Sequence, residues 1–334
     1  MSKGYLHCSV VFKAGNLNYG ESIGNIMSLK RLTIEEKSFS YQSRQAIRYD
    51  IVRTLEECGY SMVGKDDISK AKGVIQFTEN ATIDKYPEID FFGYMKTEKK
   101  SKKQSKNDET NDDSKDQRQK IRKAPVRLTD AISLEPFYNE IDFSTNAGLA
   151  SRIGENNDIY QSEIHRSYYT YSITVDLDKI GVDENYNIEL SKEERIKRLN
   201  ALLYAVKVLN RDIKGKRENL SPLFVIGGIY KSGNPFFYNQ IKLSFEDGIS
   251  IDEQIINSIL EITMFSGEKV KDTTYLGFAP SYFNSIDKIN LDSSRKLTIE
   301  EFFKTLGSFV ADYYLNTKEY QPTTAVNPNN PKIF

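Results

Sequence analysis

The amino-acid sequence predicts an α+β fold of the split βαβ kind, on three observations. Residues 168–177, YYTYSITVDL, alternate cleanly, with Tyr169, Tyr171, Ile173, Val175 and Leu177 on one face, as in a strand packed on a core. Two segments carry helical periodicity. In 42–57, Ile47, Ile51 and Leu55 recur at i, i+4 and i+8, and in 192–210, Ile196, Leu199, Leu203 and Val206 form one stripe. Around them the elements run strand, helix, strand, then strand, helix, strand, the order of ferredoxin-like and RNA-recognition-motif-like folds. The insertions are large, yet no Pro/Gly-rich linker and no internal repeat divides the chain, so residues 1–334 read as one elaborated domain.

The elements follow in order. Residues 6–12, LHCSVVF, are a first strand, and 73–78, GVIQFT, a second apolar run of strand length. From Lys96 to Lys123 there is no aromatic residue and one aliphatic one, Ile121, while eleven Lys/Arg stand against six Asp/Glu, a net of +5. Such a stretch cannot offset its ordering entropy by burial, so a disordered basic insertion is expected over 97–121. Order resumes at 124–134. Residues 135–167 are polar, with few apolar anchors, and read as a long excursion from the core. Strands follow at 222–230 and near 237–245, with helices near 251–265 and 298–316. The last opens on Thr298 with Glu301 three residues on, a capping box.

Of 334 residues, 46 are Lys or Arg and 47 Asp or Glu, for a net charge of −1. Wholesale electrostatic binding to nucleic acid is therefore not implied, and any polyanion site must be arranged locally. Cys8 and Cys58 are too few for a disulfide scaffold and fit a reducing compartment. With His7 and His165 they show no metal-ligand spacing, and core thiols with a surface histidine are expected. No signal peptide and no apolar stretch of bilayer length is visible, so a soluble, cytoplasmic protein without membrane contact is expected. There is no GxSxG, P-loop or GxGxxG motif. Asp176 and Asp178 read as a strand end turning into a solvated loop. No general base with a positioned partner stands out, and no catalytic residue, cofactor or metal is predicted.

The local arrangement lies in residues 15–52. A Gly/Asn-studded loop follows the first strand, then a basic hinge at Lys30 and Arg31, then a helix opening on Ser43, Arg44 and Gln45 with Arg48 one turn on. Glycine permits close backbone approach, a helix start offers free N–H groups to an anion, and Arg at i and i+4 puts two cations on one face. This is the layout of a phosphate-backbone binder. The aromatic RNP1 signature that stacks bases is absent, so RNA would be gripped without sequence readout.

Three stretches carry a family resemblance: NYGESIGNIMSLKRL (18–32) with SRQAIRYDIVRTL (43–55); RKAPVRLTDAISLEPF (122–137) with DFSTNAG (142–148); and YYTYSITVDLDKIG (168–181). Together they resemble the backbone subunit of type I CRISPR surveillance complexes (Cascade), in the DevR branch of the seventh CRISPR-associated family, usually of type I-B. The resemblance implies a hand-shaped protein on an RNA-recognition-motif-like palm, with fingers and a thumb. Copies would stack along one CRISPR RNA beside other Cascade subunits, and the guide would pair with target DNA, so that pairing supplies the sequence reading. It places Ser43, Gln45 and Arg48 at guide phosphates, beside Arg44 as a further RNA-binding candidate of the helix start, and Asn18, Gly24, Asn25, Lys30 and Arg31 in the loop approaching the RNA backbone. The 135–167 excursion takes the thumb position, with Phe137, Phe143 and Arg152 as candidates for wedging a kinked strand. Phe137 reads equally as a core anchor at the thumb's base. The 97–121 insertion falls in the fingers. Lys214, Lys216 and Arg217 form a second basic loop, facing either guide or solvent. The alternatives are a guide-bound endoribonuclease of the type III kind, for which Asp142 is in a plausible region, and a stand-alone regulator or interaction module.

Overall fold

A computed structural model describes residues 3–71, 73–99, 117–246 and 248–315. The architecture is mixed α+β, with one large sheet, several small ones and six α-helices among the described residues. The large sheet contains β1 (Tyr5–Gly15), β2 (Arg31–Ile34), β3 (Lys37–Gln42), β4 (Val126–Leu128), β5 (Ala131–Ser133), β6 (Arg166–Asp176), β7 (Phe224–Tyr230), β8 (Thr274–Phe278) and β9 (Lys296–Thr298). Their order is β9-β8-β7-β1-β6-β5-β3-β2, with β4 also paired to β6. All pairs are antiparallel except β8 with β9.

Side-chain alternation on the three central strands builds two cores, one on each face. Leu6, Cys8, Val10 and Phe12 of β1, Tyr169, Tyr171, Ile173 and Val175 of β6, and Val225 and Ile229 of β7 face one side. There they meet α1 (Arg44–Glu57) through Ile47, Ile51 and Leu55, α4 (Lys192–Lys207) through Leu199, Leu203 and Val206, and α6 (Ile299–Leu315) through Phe302, Leu306 and Val310. Val11, Tyr168, Phe224, Ile226 and Tyr230 point the other way. They are covered by residues 236–291, including α5 (Glu253–Leu260). Close approach here requires glycine at 227 and 228: a Cβ on Gly227 would stand 2.0 Å from the His7 carbonyl oxygen, and one on Gly228 1.9 Å from that of Thr273. The capping box forms as expected, with Thr298 N–H donating to Glu301 Oε2 at 3.0 Å and Glu301 N–H to Thr298 Oγ1 at 3.3 Å.

Several sequence expectations are corrected. The 73–78 run is not a core strand: Val74–Phe77 pairs only with Ile68–Ala71 in a separate hairpin, with Val74 and Ile75 exposed. Of the strand near 237–245 only Leu243–Ser244 is extended, and the helix near 251–265 shortens to α5. Thr274–Phe278 is a buried strand that the sequence reading left out. Cys58 is exposed while His165 is buried, the reverse of the expected assignment. Burial pushes the pKa of His7 down to about 4. No described helix is long and apolar enough to cross a membrane, and no group of three or more His, Cys, Asp and Glu among the described residues is placed to hold a metal.

The expected insertion over 97–121 also changes. Its two arms are paired, Tyr94–Lys99 against Gln117–Arg122, and residues 100–116 lie outside the described residues. Two cations in these arms are buried, which charge counting alone could not reveal. Lys96 Nζ donates to the Ala81 carbonyl at 2.7 Å and sits over the Tyr94 and Tyr186 rings at 4.4 and 4.6 Å. Arg122 joins Asp90 at 2.8 Å and Arg198 joins the same carboxylate at 3.2 Å, with all three side chains buried. Asp90 lies in α2 (Pro87–Phe92) and also accepts from Gly181 N–H at 2.9 Å, so this one carboxylate ties α2, the hairpin, α4 and the loop after β6 together.

Removing it would strip the buried Arg122 of its counter-charge and leave Arg198 with Glu194 alone, and breaking a buried ion pair typically costs about 3–5 kcal/mol. Asp90→Ala should therefore lose a large share of its unfolding free energy in a urea titration followed by circular dichroism. A loss below about 1 kcal/mol would contradict the assigned role.

Candidate nucleic-acid interface

The site begins where β1 ends. Asn16 has a left-handed backbone, φ 56°, and ties the loop to the base of the excursion: its Oδ1 accepts from His165 N–H at 2.9 Å. Leu17 is buried. Asn18 Nδ2 donates to Ser43 Oγ at 3.1 Å, and the Asn18 carbonyl accepts from Lys30 N–H at 2.8 Å, so the loop lies against the start of α1. Between these points the chain makes a ribbon, Tyr19–Ile23 against Ile26–Leu29. Gly24 turns its tip at φ 60° with open space around it, and Asn25 beside it is exposed.

The excursion and this ribbon are one unit, which no sequence pattern announced. Glu140–Thr145 pairs with Ile159–Ile164, and the latter pairs in parallel with Ile26–Leu29, giving a four-stranded sheet. At its base the Glu163 carboxylate accepts from Leu29 N–H at 2.8 Å and holds Arg31 at 3.2 Å. Arg31 lies over the Phe137 ring at 4.8 Å, and Phe137 meets His165 edge-on at 5.4 Å. Ser40 Oγ contacts His165 Nδ1 at 2.7 Å and Tyr169 Oη at 2.8 Å. Burial holds the His165 pKa below its usual value. Arg31 and Phe137 thus brace the root of the excursion. Phe143 is 65% exposed on its first strand. Arg152 is exposed in α3 (Ala147–Ile153), with Leu149, Ile153, Ile159 and Tyr160 also exposed around it.

α1 starts on Ser43, whose Oγ accepts from Ala46 N–H at 3.4 Å. Arg44 N–H donates to Asp130 at 2.6 Å, while the Arg44 and Gln45 side chains are exposed. Arg48 does not join Arg44 as a free cation: it pairs with Glu88 at 2.9 Å and stacks over Phe92 at 4.8 Å. It therefore fastens α1 to α2.

The second basic loop is the turn of a hairpin, Asn210–Ile213 against Lys216–Asn219. Two arginines clamp it. Arg53 reaches from α1 to Asp212 at 2.8 Å and to the Asn210 side chain at 2.6 Å. Arg211 reaches the Leu17 carbonyl at 2.7 Å and Asp50 at 3.0 Å, and Gln42 donates to the same carboxylate at 2.8 Å. Burial raises the Asp50 pKa, against the pull of Arg211. Lys214 Nζ lies over the Tyr19 ring at 4.2 Å. Arg217 folds back on Asp212 at 2.7 Å, and Lys216 is exposed.

Asn18 thus joins Ser43 and Lys30 by hydrogen bonds and Lys214 reaches Tyr19 across the same loop, while the Arg44 and Lys216 side chains are exposed at the start of α1 and in the hairpin. Gly24 and Asn25 stand at the ribbon tip, Arg217 is half-neutralised, and Arg31, Arg48 and Phe137 serve the scaffold. Tyr19, Arg53, Arg211 and Glu163 were missed. Only their partners, distant in sequence, give them a role.

The family described as CRISPR-associated negative auto-regulator DevR/Csa2 matches residues 6–247, and the chain belongs to that family. No curated protein matches the chain. Among solved structures, one titled "CRISPR RNA-guided surveillance complex, pre-nicking" is similar over 90% of this chain and 100% of that chain, with TM-score 0.51 and 11% identity. Another, titled "CRISPR RNA-guided surveillance complex", covers 90% and 99%, with TM-score 0.50 and 13% identity. At such identities the likeness is one of fold.

If Arg211 clamps the hairpin, Arg211→Met should raise amide exchange across 210–219 by about tenfold or more while leaving β1 and β6 protected. Unchanged protection, measured by exchange mass spectrometry, would contradict the clamp.

Proposed function

We propose that this chain is a non-catalytic backbone subunit of a CRISPR RNA-guided surveillance complex, gripping the guide by its phosphates. The observation that carries the reading is that Lys30, Arg44, Lys214 and Lys216, whose side chains form no ion pair among the described residues though the Asp142 carboxylate acts on Lys214, border a loop pinned by Arg211 and a hairpin pinned by Arg53. A groove with unpaired cations on a rigid frame suits a phosphodiester backbone.

Membership of the DevR/Csa2 family and the likeness to surveillance-complex chains support the same reading. The strand order β7-β1-β6-β4/β5 with α1 and α4 on one face supports reading this part of the sheet as a ferredoxin-like, RNA-recognition-motif-like palm. In this reading the four-stranded ribbon unit is the thumb. Its exposed Phe143, Leu149, Ile153, Ile159 and Tyr160 form an apolar surface suited to a neighbouring copy along the guide. The guide then pairs with target DNA. The family's description as an auto-regulator keeps a second reading, a stand-alone regulator, in view.

Co-expression with a CRISPR array separates the two. The subunit reading expects the chain to purify with RNA in particles far larger than its 38.3 kDa, with a nucleic-acid-rich absorbance ratio. A nucleic-acid-free monomer would contradict it. Salt titrations refine the site. Lys216→Gln should lower affinity and flatten the slope of log K against log salt by about one phosphate's worth, while Arg48→Gln should leave the slope unchanged because Glu88 already neutralises that charge. The converse pattern would move the site to the α2 side of α1.

A further inference from the structure

At the end of β1 remote from the proposed groove, residues 231–236 and the loop 262–270 build a surface of a different kind. Lys231 follows the last residue of β7, Tyr230, which pairs with Tyr5 at the start of β1. β1 spans 11 residues, or about 35 Å at ~3.3 Å per residue. The two surfaces therefore lie at opposite ends of the sheet. Residues 262–270 form a tight loop, closed by Met264 N–H to the Glu268 carbonyl at 2.8 Å and Val270 N–H to the Ile262 carbonyl at 2.9 Å. Met264 turns inward and is buried, and the next side chain, Phe265, stands wholly in solvent at 110% relative exposure.

The aromatic is held out rather than loose. Lys269 and Lys271 both pair with Glu261, at 2.5 and 2.8 Å, and Lys231 pairs with Glu268 at 2.8 Å, fixing both ends of the loop. Beside the ring is a recess of about 490 Å³ lined by Lys231, Asn234, Phe236, Ile262, Met264 and Phe265 itself. A knob and a hole thus share one patch.

We propose that this patch is a two-fold contact with a second copy of the chain, each Phe265 entering the other's recess. Side-by-side knob and hole are self-complementary under a two-fold axis, which is what an isologous interface needs. The rim argues for the same occupant. Lys231, Lys269 and Lys271 are balanced by Glu261, Glu268 and Asp272 and already paired with Glu261 and Glu268, so a like copy meets a neutral rim and no single-sign repulsion. The same balance gives a polyanion nothing to hold, which excludes a second nucleic-acid groove here. An aromatic on a pre-ordered loop loses little entropy on docking and is the residue type that anchors small interfaces. This contact differs from stacking along a guide: it closes at two copies, leaves the groove open, and does not depend on RNA.

Sedimentation equilibrium of the full-length chain, stripped of nucleic acid, tests it. The expected result is a single step to twice the 38.3 kDa chain mass as concentration rises. Phe265→Asp should weaken that step by about tenfold or more, Phe265→Tyr should retain it, and the melting temperature should stay unchanged, since the ring buries nothing in the monomer. A chain that stays monomeric at high concentration overturns the proposal and points to a different subunit on this face. Dimers that persist in Phe265→Asp, or an open-ended ladder of oligomers, overturn it equally.

Discussion

β1 is hydrogen-bonded to β6 on one edge and β7 on the other, and it is buried on both faces. From Leu6 to Val11 a strand so placed has no free edge and no solvent face. Each neighbour must match its register, and each layer must fill against its alternate side chains. The helices answer Leu6, Cys8, Val10 and Phe12, and the 236–291 layer answers Val11. Gly227 and Gly228 are the local consequence, since the backbones come too close for a Cβ. At its Gly15 end this strand delivers the loop on which the proposed guide site rests. At its Tyr5 end it supports the layer bearing Phe265.

A chain with net charge −1 can still present a cationic groove because most of its arginines are already committed. Arg48, Arg53, Arg122, Arg198 and Arg211 each hold a carboxylate and join segments distant in sequence. The planar guanidinium suits this work, with several donors in fixed geometry, while the flexible ammonium of lysine suits a solvated phosphate. The division leaves Lys30, Lys214 and Lys216 to the proposed groove. It also separates two kinds of basic residue that look alike in sequence: those that make the frame and those that face outward from it.

The helices at 42–57 and 192–210 and the strand at 168–177 were legible because one period ran through each, and they lie where the pattern put them. The family was legible from blocks of sequence taken together. The pairing of the 19–29 ribbon with the 135–167 excursion was not, because its register rests on contacts more than a hundred residues apart. Nor was the fate of individual cations. Arg44 and Arg48 share a helix face by spacing, but Glu88 from α2 captures one and not the other. Lys96 and Arg122 read as solvated charge until the carbonyl, rings and carboxylate that receive them are seen.

In the proposed complex a guide lies on the loop of residues 15–19, between the start of α1 and the 210–219 hairpin. Ultraviolet crosslinking of the RNA-loaded protein, read by mass spectrometry of the attached peptides, tests it most directly. Nucleotide adducts are expected on the peptide carrying Tyr19 and on the hairpin carrying Lys214 and Lys216, lost when salt releases the RNA. Adducts confined to residues 231–291, at the opposite end of the sheet, would contradict it.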